Sequence, residues 1–223
     1  VVASPVGVVS KLLAKQPGKR ERVEHHPAVP WRDIPEMSDL LFKTATPTSG
    51  RAMLELLILT ATRSGEVRGL EWSEISFKTA TWTIPASRMK ARQAHRVPLS
   101  PRALEILREQ QKVTGERSLA FPTRAKVSPN APDSPMSDMV LTKLLRDANI
   151  QSDTPGRTAT AHGFRSAFRD WASENGYPRD LAERALAHTI ANSTEAAYHR
   201  TDLLEQRRQM MEDWAHFVSG TKD

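Results

Sequence analysis

His162 and Arg165 stand three residues apart in the run His162-Gly163-Phe164-Arg165. On a helix that spacing puts both side chains on one side. At a helix N-terminus they would join free backbone N–H groups and the positive end of the dipole, a combination suited to a phosphate. An H-x-x-R pair alone is a weak signal, and a surface pair is the ordinary alternative. Arg63 lies in the polar turn Thr62-Arg63-Ser64-Gly65-Glu66-Val67, directly after an apolar run. Glu66 stands where it could brace the Arg63 guanidinium through charge-assisted hydrogen bonds, with a plain local ion pair as the alternative. Lys90 sits beside a basic stretch holding Arg88, Arg92, His95 and Arg96, where a solvated hairpin charge is the common outcome. Tyr198 is one of only two tyrosines and lies among small and polar residues, ten positions after His188. It reads either as a nucleophile or as a half-buried packing residue. The other tyrosine, Tyr177, precedes Pro178 just after an expected helix end and reads as structural.

The bulk properties narrow the partners. A chain of 223 residues makes one large domain, or one domain with extensions. The net charge of +6 and the pI of about 9.8 favour a polyanionic partner. There is no cysteine, which excludes disulfides, zinc–thiolate sites and cysteine nucleophiles. No Asp/Glu/His cluster has metal-ligand spacing, so no metal or other cofactor is expected. No apolar run approaches the roughly 18 residues of a membrane helix, so no membrane partner is expected. Val1 to Val9 is too short, and too broken by Pro5 and Gly7, for a signal peptide. The first residue is not methionine, and the expectation is a fragment of a longer protein.

The elements that must position these residues follow from periodicity and punctuation. Residues 1–27 carry several prolines, lysines and arginines and read as a basic interdomain linker or N-terminal remnant, with a solvated tail as the alternative. The domain proper is expected over 28–223. Pro35 to Thr44 suggests a short helix. Arg51 to Ala61 is apolar nearly all round and predicts a buried central helix. Ser64 suits the N-cap of a short second helix ending near Leu70. Between Phe77 and Leu99 we expect a small three-stranded antiparallel sheet. It includes Thr81–Ile84, and Arg88–Lys90 and His95–Val97 flank a hairpin loop. Ser100, Pro101 and Gly115 bracket a helix as N-cap, N1 and C′, its inner face including Leu104, Leu107 and Gln111. Leu119 to Pro122 reads as a short buried extended piece, and Pro122 to Pro135 as a loop. Ser137 caps a helix with Val140, Leu141, Leu144, Leu145 and Ala148 inward. Further helices are expected over His162–Asn175, Arg179–Ala187 and Asp202–Val218. The fold class is α+β, mainly α.

Each candidate residue is modest alone, but Arg63, Lys90, His162, Arg165, His188 and Tyr198 occur in a fixed order. With Thr60-Ala61-Thr62-Arg63-Ser64-Gly65-Glu66-Val67, His95-Arg96-Val97-Pro98-Leu99-Ser100, Leu186-Ala187-His188 and Ala197-Tyr198, the chain resembles the catalytic domain of the tyrosine recombinases, or phage-type integrases. The resemblance covers roughly residues 28 to 218, and the stretch from Tyr198 to Trp214 resembles the prophage and genomic-island branch. Many members of that family carry glycine where this chain has Ala187.

The resemblance implies a site-specific recombinase that integrates or excises a mobile element. It implies Tyr198 as nucleophile, forming a 3′-phosphotyrosyl link while the 5′-hydroxyl leaves. Arg63 and Arg165 would hold the non-bridging oxygens, a task suited to a planar, permanently charged fork. Lys90 would protonate the leaving oxygen, His162 would help accept the tyrosine proton, and His188 would bond a phosphate oxygen. Glu66 would brace Arg63, while Arg88, Arg92 and Arg96 are candidates for DNA-backbone contact. The help is needed, because a phenol of pKa about 10 is only about 0.1% ionised at neutral pH, a deficit of about 4 kcal/mol. The partners implied are double-stranded attachment-site DNA, other protomers in a synaptic tetramer and an accessory directionality factor; the helix over 202–218 either docks on a neighbouring protomer, burying Leu203, Met210 and Trp214 there, or is ordinary core. The place implied is the bacterial cytoplasm, on the nucleoid. Alternatives are a type IB-like topoisomerase, a non-cleaving DNA-binding protein of the same fold, and a basic interaction module with no DNA role.

Overall fold

The computed structural model describes residues 25–123, 131–188 and 201–220. The linker expected over residues 1–27 lies almost wholly outside them, as does Tyr198. The element order begins with a 3-10 turn (Trp31–Asp33), α1 (Ile34–Ser38) and a π-helical turn (Asp39–Lys43). Then come α2 (Ser49–Thr60), α3 (Ser64–Arg68), β1 (Ile75–Ser76), β2 (Thr81–Ile84) and β3 (His95–Pro98). The rest is helical: α4 (Pro101–Thr114), α5 (Met139–Asp147), α6 (Gly163–Glu174), α7 (Arg179–Ala185) and α8 (Leu204–Val218).

α2 is the axis of the core. Thr48 caps it, its Oγ1 accepting from the Arg51 N–H at 3.2 Å. It stops at Ala61, which adopts a left-handed conformation with φ of 49°. Met53, Leu54, Leu56, Leu57 and Ile58 are fully buried, which is why the segment is apolar on every face. Truncating one of them, Leu57→Ala for example, would cost about 2–5 kcal/mol through lost burial and the cavity left behind. α4, α5 and α8 pack around α2.

α8 lies in the same core. Met210 and Trp214 are fully buried, and the Trp214 indole N–H donates to the Ile58 carbonyl at 2.8 Å. In this chain the helix takes the ordinary-core alternative, with Met210 and Trp214 packed against its own α2. Tyr177 is structural as expected. Its ring stacks on Trp171 at 5.2 Å, and its hydroxyl donates to Asp213 on α8.

The sheet is antiparallel in the order β1-β2-β3, with Trp82 opposite Val97 and Ile84 opposite His95. It has the three strands expected, but not the same three. Arg88–Lys90 is no strand: Ala86–Arg88 is a 3-10 turn, and the link from Pro85 to Ala94 is longer than a tight hairpin. The reason is Arg88, whose guanidinium turns inward onto the Glu74 carboxylate and the Glu66 carbonyl. β1 supplies the third strand instead.

Helix punctuation is read correctly at α4. Ser100 Oγ accepts from the Ala103 N–H at 3.3 Å, and Gly115 closes the helix at φ of 59°. The buried face is shifted from the one expected, to Ala103, Ile106, Leu107, Gln110 and Thr114, while Gln111 is exposed. Ser64 opens α3, but Arg63 is the capping residue; at α5, Asp138 takes the place expected for Ser137. Among the described residues no helix is long and apolar enough to cross a membrane.

Candidate active site

The site assembles where the ends of α2, α3, α6 and α7 meet. Arg63 precedes α3 with extended backbone (φ −78°, ψ 152°). Glu66 reaches back to it twice, accepting from the Arg63 backbone N–H at 2.8 Å and from Nη1 at 2.7 Å. Glu66 is buried, so this is not a solvated surface pair. The second Arg63 nitrogen, Nη2, donates to the Ala187 carbonyl at 3.4 Å.

Arg165 sits in the first turn of α6 and is only 4% exposed. It donates to the Ala61 carbonyl, to the Leu186 carbonyl at 2.6 Å, and to His188 Nε2 at 3.1 Å. Its Nε is buried with no partner among the described residues. Nor does any described carboxylate pair with this cation. Burial, and then the positive Arg63, push its pKa well below the usual arginine range, to about 10. Glu66 and Glu183 act on it only at a distance, so a buried cation without a directly bonded carboxylate is costly, and an incoming anion supplies that contact.

His162 is the residue just before α6, so the pair expected one turn apart does open a helix. The glycine between them has a reason. A Cβ on Gly163 would lie 2.3 Å from the Pro27 carbonyl oxygen and 2.7 Å from Ala28 Cα. That close approach seats the chain at 27–28 against the start of α6, where Thr160 also donates to the Pro27 carbonyl. The His162 ring lies 4.4 Å from that of His26. Burial, then the charges of His26, Arg165 and Arg63, lower its pKa from 6.5 to about 4. A neutral imidazole at pH 7 can accept a proton.

His188 is placed by a left-handed turn at Ala187, φ 49°, where a Cβ is unfavourable. Its Nδ1 bonds Glu183 Oε2 at 2.6 Å. The structure thus brings Arg63, Glu66, Arg165, His162 and His188 together. It does not bring Lys90 to them: that side chain is exposed on the β2–β3 link and has no hydrogen bond or ion pair among the described residues. Of the three backbone-contact candidates, Arg88 is committed inside the fold. Arg92 is exposed at φ 54°, and Arg96 forms a two-pronged pair with Asp202 at 2.8 and 2.6 Å.

Three residues at or beside the site escaped sequence reasoning. Asp202 and Arg207 are two. Arg207 is 1% exposed and donates to the Arg96 carbonyl at 2.7 Å and the Asp202 carbonyl at 2.8 Å. This ties the start of α8 to β3. The available signal was an arginine in helical register with Met210, Met211 and Trp214, on a face otherwise apolar. The third is Glu183, whose partner five residues on carries no pattern of its own. His95, counted with the basic stretch, is half-buried. Burial and the charge of Arg207 lower its pKa to about 4, so it adds no charge at neutral pH.

A mainly helical core, a three-stranded antiparallel sheet and two arginines converging at helix ends define the integrase catalytic-domain fold. The solved integrase from mycobacterium phage Brujita superposes with a TM-score of 0.61 at 18% identity, over 93% of this chain and 61% of that one. The lambda integrase catalytic core superposes with a TM-score of 0.52 at 16% identity, over 75% of this chain and 95% of that one. The Phage integrase family model matches residues 32–204, and the chain belongs to that family. It is 33% identical over 223 residues to the prophage integrase IntA of Escherichia coli K12, covering 99% of this chain and 52% of the relative. The chain spans about half the length of the curated relatives it matches.

Proposed function

We propose that this chain carries the strand-cleaving and rejoining chemistry of a site-specific DNA recombinase that moves a mobile element. The observation that carries the reading is Arg165, a buried cation with no carboxylate partner, facing the same point as Arg63. A DNA phosphodiester is the anion this arrangement suits. The Tyr198 oxygen attacks phosphorus and its proton passes toward His162, which is neutral at pH 7. The bond from phosphorus to the 5′-oxygen breaks, and Lys90 protonates that oxygen. Arg63 and Arg165 hold the two non-bridging oxygens, and His188 bonds one of them. The reverse steps rejoin the strand, so no external energy source is needed. Lys90, exposed and unpaired among the described residues, is free to meet a substrate. Arg92 and Arg96 are assigned to the DNA backbone, with Arg96 leaving Asp202 to do so.

The partners in this reading are duplex attachment-site DNA, further protomers and an accessory directionality factor, on the nucleoid of a bacterial cytoplasm. Lambda integrase has been solved as a dimer on a core site and as a tetramer on a Holliday junction, and an equivalent assembly is proposed here. The test uses the full-length protein and a nicked duplex spanning the junction of element and host. Wild type should form a covalent adduct that survives a denaturing gel. Tyr198→Phe should bind the duplex but form none. Arg63→Ala and Arg165→Ala should each cut adduct formation by about 10²–10³-fold, the usual cost of losing one preorganised donor. Adduct formation by Tyr198→Phe, or near-normal rates in either arginine variant, would sink the assignment.

A further inference from the structure

His188 is held by more than its phosphate would require, and the hold determines where its proton sits. Its Nε2 lies 3.1 Å from Arg165 Nη2. A guanidinium has only donors, so Nε2 must accept and carries no proton. The proton of the neutral ring is then on Nδ1, and Nδ1–H donates to Glu183 Oε2 at 2.6 Å. Glu183 also takes the His188 backbone N–H on its own carbonyl at 3.0 Å. Its second carboxylate oxygen, Oε1, accepts from Arg169 Nε at 2.7 Å. The Glu183 side chain is 17% exposed, so both oxygens are fixed rather than solvated. Arg169 and Arg165 stand one turn apart on α6, and Glu183 lies on α7. The ring is therefore gripped between two helices.

We propose that Glu183 is a positioning residue for the strand-cleavage reaction, holding the ring orientation of His188 and, together with Arg165 on the other ring nitrogen, its tautomer. The proposal rests on the recombinase reading of the site and deepens it. A neutral imidazole in water favours the opposite tautomer, with the proton on Nε2. The grip has a further consequence. A phosphate oxygen that takes Arg165's place at Nε2 offers only lone pairs. His188 must then gain a second proton from solvent, at Nε2, to bond it. The groups around that imidazolium are Glu183, with Arg169 behind it, and Arg165, His162 and Arg63 with its brace Glu66 across the site. Glu183 is the carboxylate bonded to the ring itself and supplies the counter-charge. Anion binding thus takes up a proton.

The test is a long-range ¹⁵N–¹H correlation spectrum of the histidine side chains, with His188→Gln to assign the resonance. Wild type in chloride should show His188 protonated on Nδ1 alone. Sulfate, an oxyanion that carries no proton at neutral pH, should convert it to the doubly protonated form. Glu183→Gln keeps an acceptor but not the charge, so it should hold the Nδ1–H tautomer in chloride and stay singly protonated in sulfate. Glu183→Leu leaves the Nδ1–H without its acceptor, so that proton should exchange with solvent faster than in wild type. The proposal is overturned if the Nδ1–H of Glu183→Leu is as protected from exchange as in wild type. It is equally overturned if Glu183→Gln takes up the second proton in sulfate as wild type does, a result readable even if the leucine variant does not fold. On nicked duplex at saturation, Glu183→Gln should form adduct about 10–100-fold more slowly, the range for losing the partner behind a working histidine, with half-saturation unchanged. An unchanged rate would also count against the role. If wild type forms no adduct, the strand-cleavage reading fails, while the spectra still decide whether Glu183 governs His188.

Discussion

Phosphate alone should stabilise this protein, and the amount follows from Arg165. Its pKa is pushed down to about 10, with burial the first cause and Arg63 the second. At about 1.36 kcal/mol per pH unit, keeping that charge in these surroundings costs about 3 kcal/mol, which a bound anion recovers. The more exposed Arg63 adds about 1 kcal/mol, the upper end for such a pair. Together these correspond to a Kd of about 1 mM. Phosphate at about 100 mM is then about 100 times Kd and contributes about 2.7 kcal/mol of stability. For a domain of this size, that is a Tm rise of about 5–11 °C. The measurement is thermal unfolding by circular dichroism in phosphate, against chloride of equal ionic strength so that screening cancels. Arg165→Gln should lose most of the rise. An equal rise in chloride, or an undiminished rise in the glutamine variant, would refute the reasoning.

Three other perturbations test the frame around the site. His95 has a folded pKa near 4 against 6.5 unfolded, so the unfolded chain takes up the proton first as the solution is acidified. The stability it contributes is intact above pH 6.5 and is lost toward pH 4, up to about 3 kcal/mol. Denaturant titrations across that range should flatten in His95→Asn; an identical slope would place the acid sensitivity elsewhere. Gly163→Ala puts a methyl into the Pro27 backbone and should cost about 1–3 kcal/mol while displacing Arg165, so adduct yield should drop with stability. A fully stable, fully active Gly163→Ala protein would contradict the packing described. Ala187→Gly should gain about 0.5–1 kcal/mol in a denaturant midpoint, because glycine accepts a φ of 49° without strain and the flexibility it adds offsets only part. A destabilised variant would show that the turn is not strained.

What the sequence revealed depended on distance along the chain. The Ser100, Pro101 and Gly115 signals fixed α4 because caps act through backbone groups within one turn. The Arg63–Glu66 brace and the His162–Arg165 pair were legible for the same reason. The inner face of α4 was misjudged because a polar residue is buried there. Gln110 turns inward to donate to the Ala120 carbonyl at 2.8 Å and to Ser49 Oγ at 3.2 Å. Its burial is satisfied by partners that periodicity does not see. The Arg88–Lys90 strand failed similarly, since only the fold shows Glu74 and the Glu66 carbonyl waiting for Arg88. Glu183 behind His188, and Asp202 between Arg96 and Arg207, are products of how α7, α8 and β3 meet.

The aromatic cluster that anchors α8 also makes the protein its own optical gauge. Trp171 lies 5.1 Å from Trp214, and Phe217 bridges both to Trp31, with ring distances of 5.3 Å to Trp31 and 5.9 Å to Trp214. Three of the five tryptophans therefore report on one seam, where the 3-10 turn at Trp31, α6 and α8 meet. Trp214 is dry and hydrogen-bonded to Ile58, so its emission reports the seating of α8 against the core. Any partner that peels this helix off its own core must wet Trp214, and a red shift in unlabelled protein would time the event.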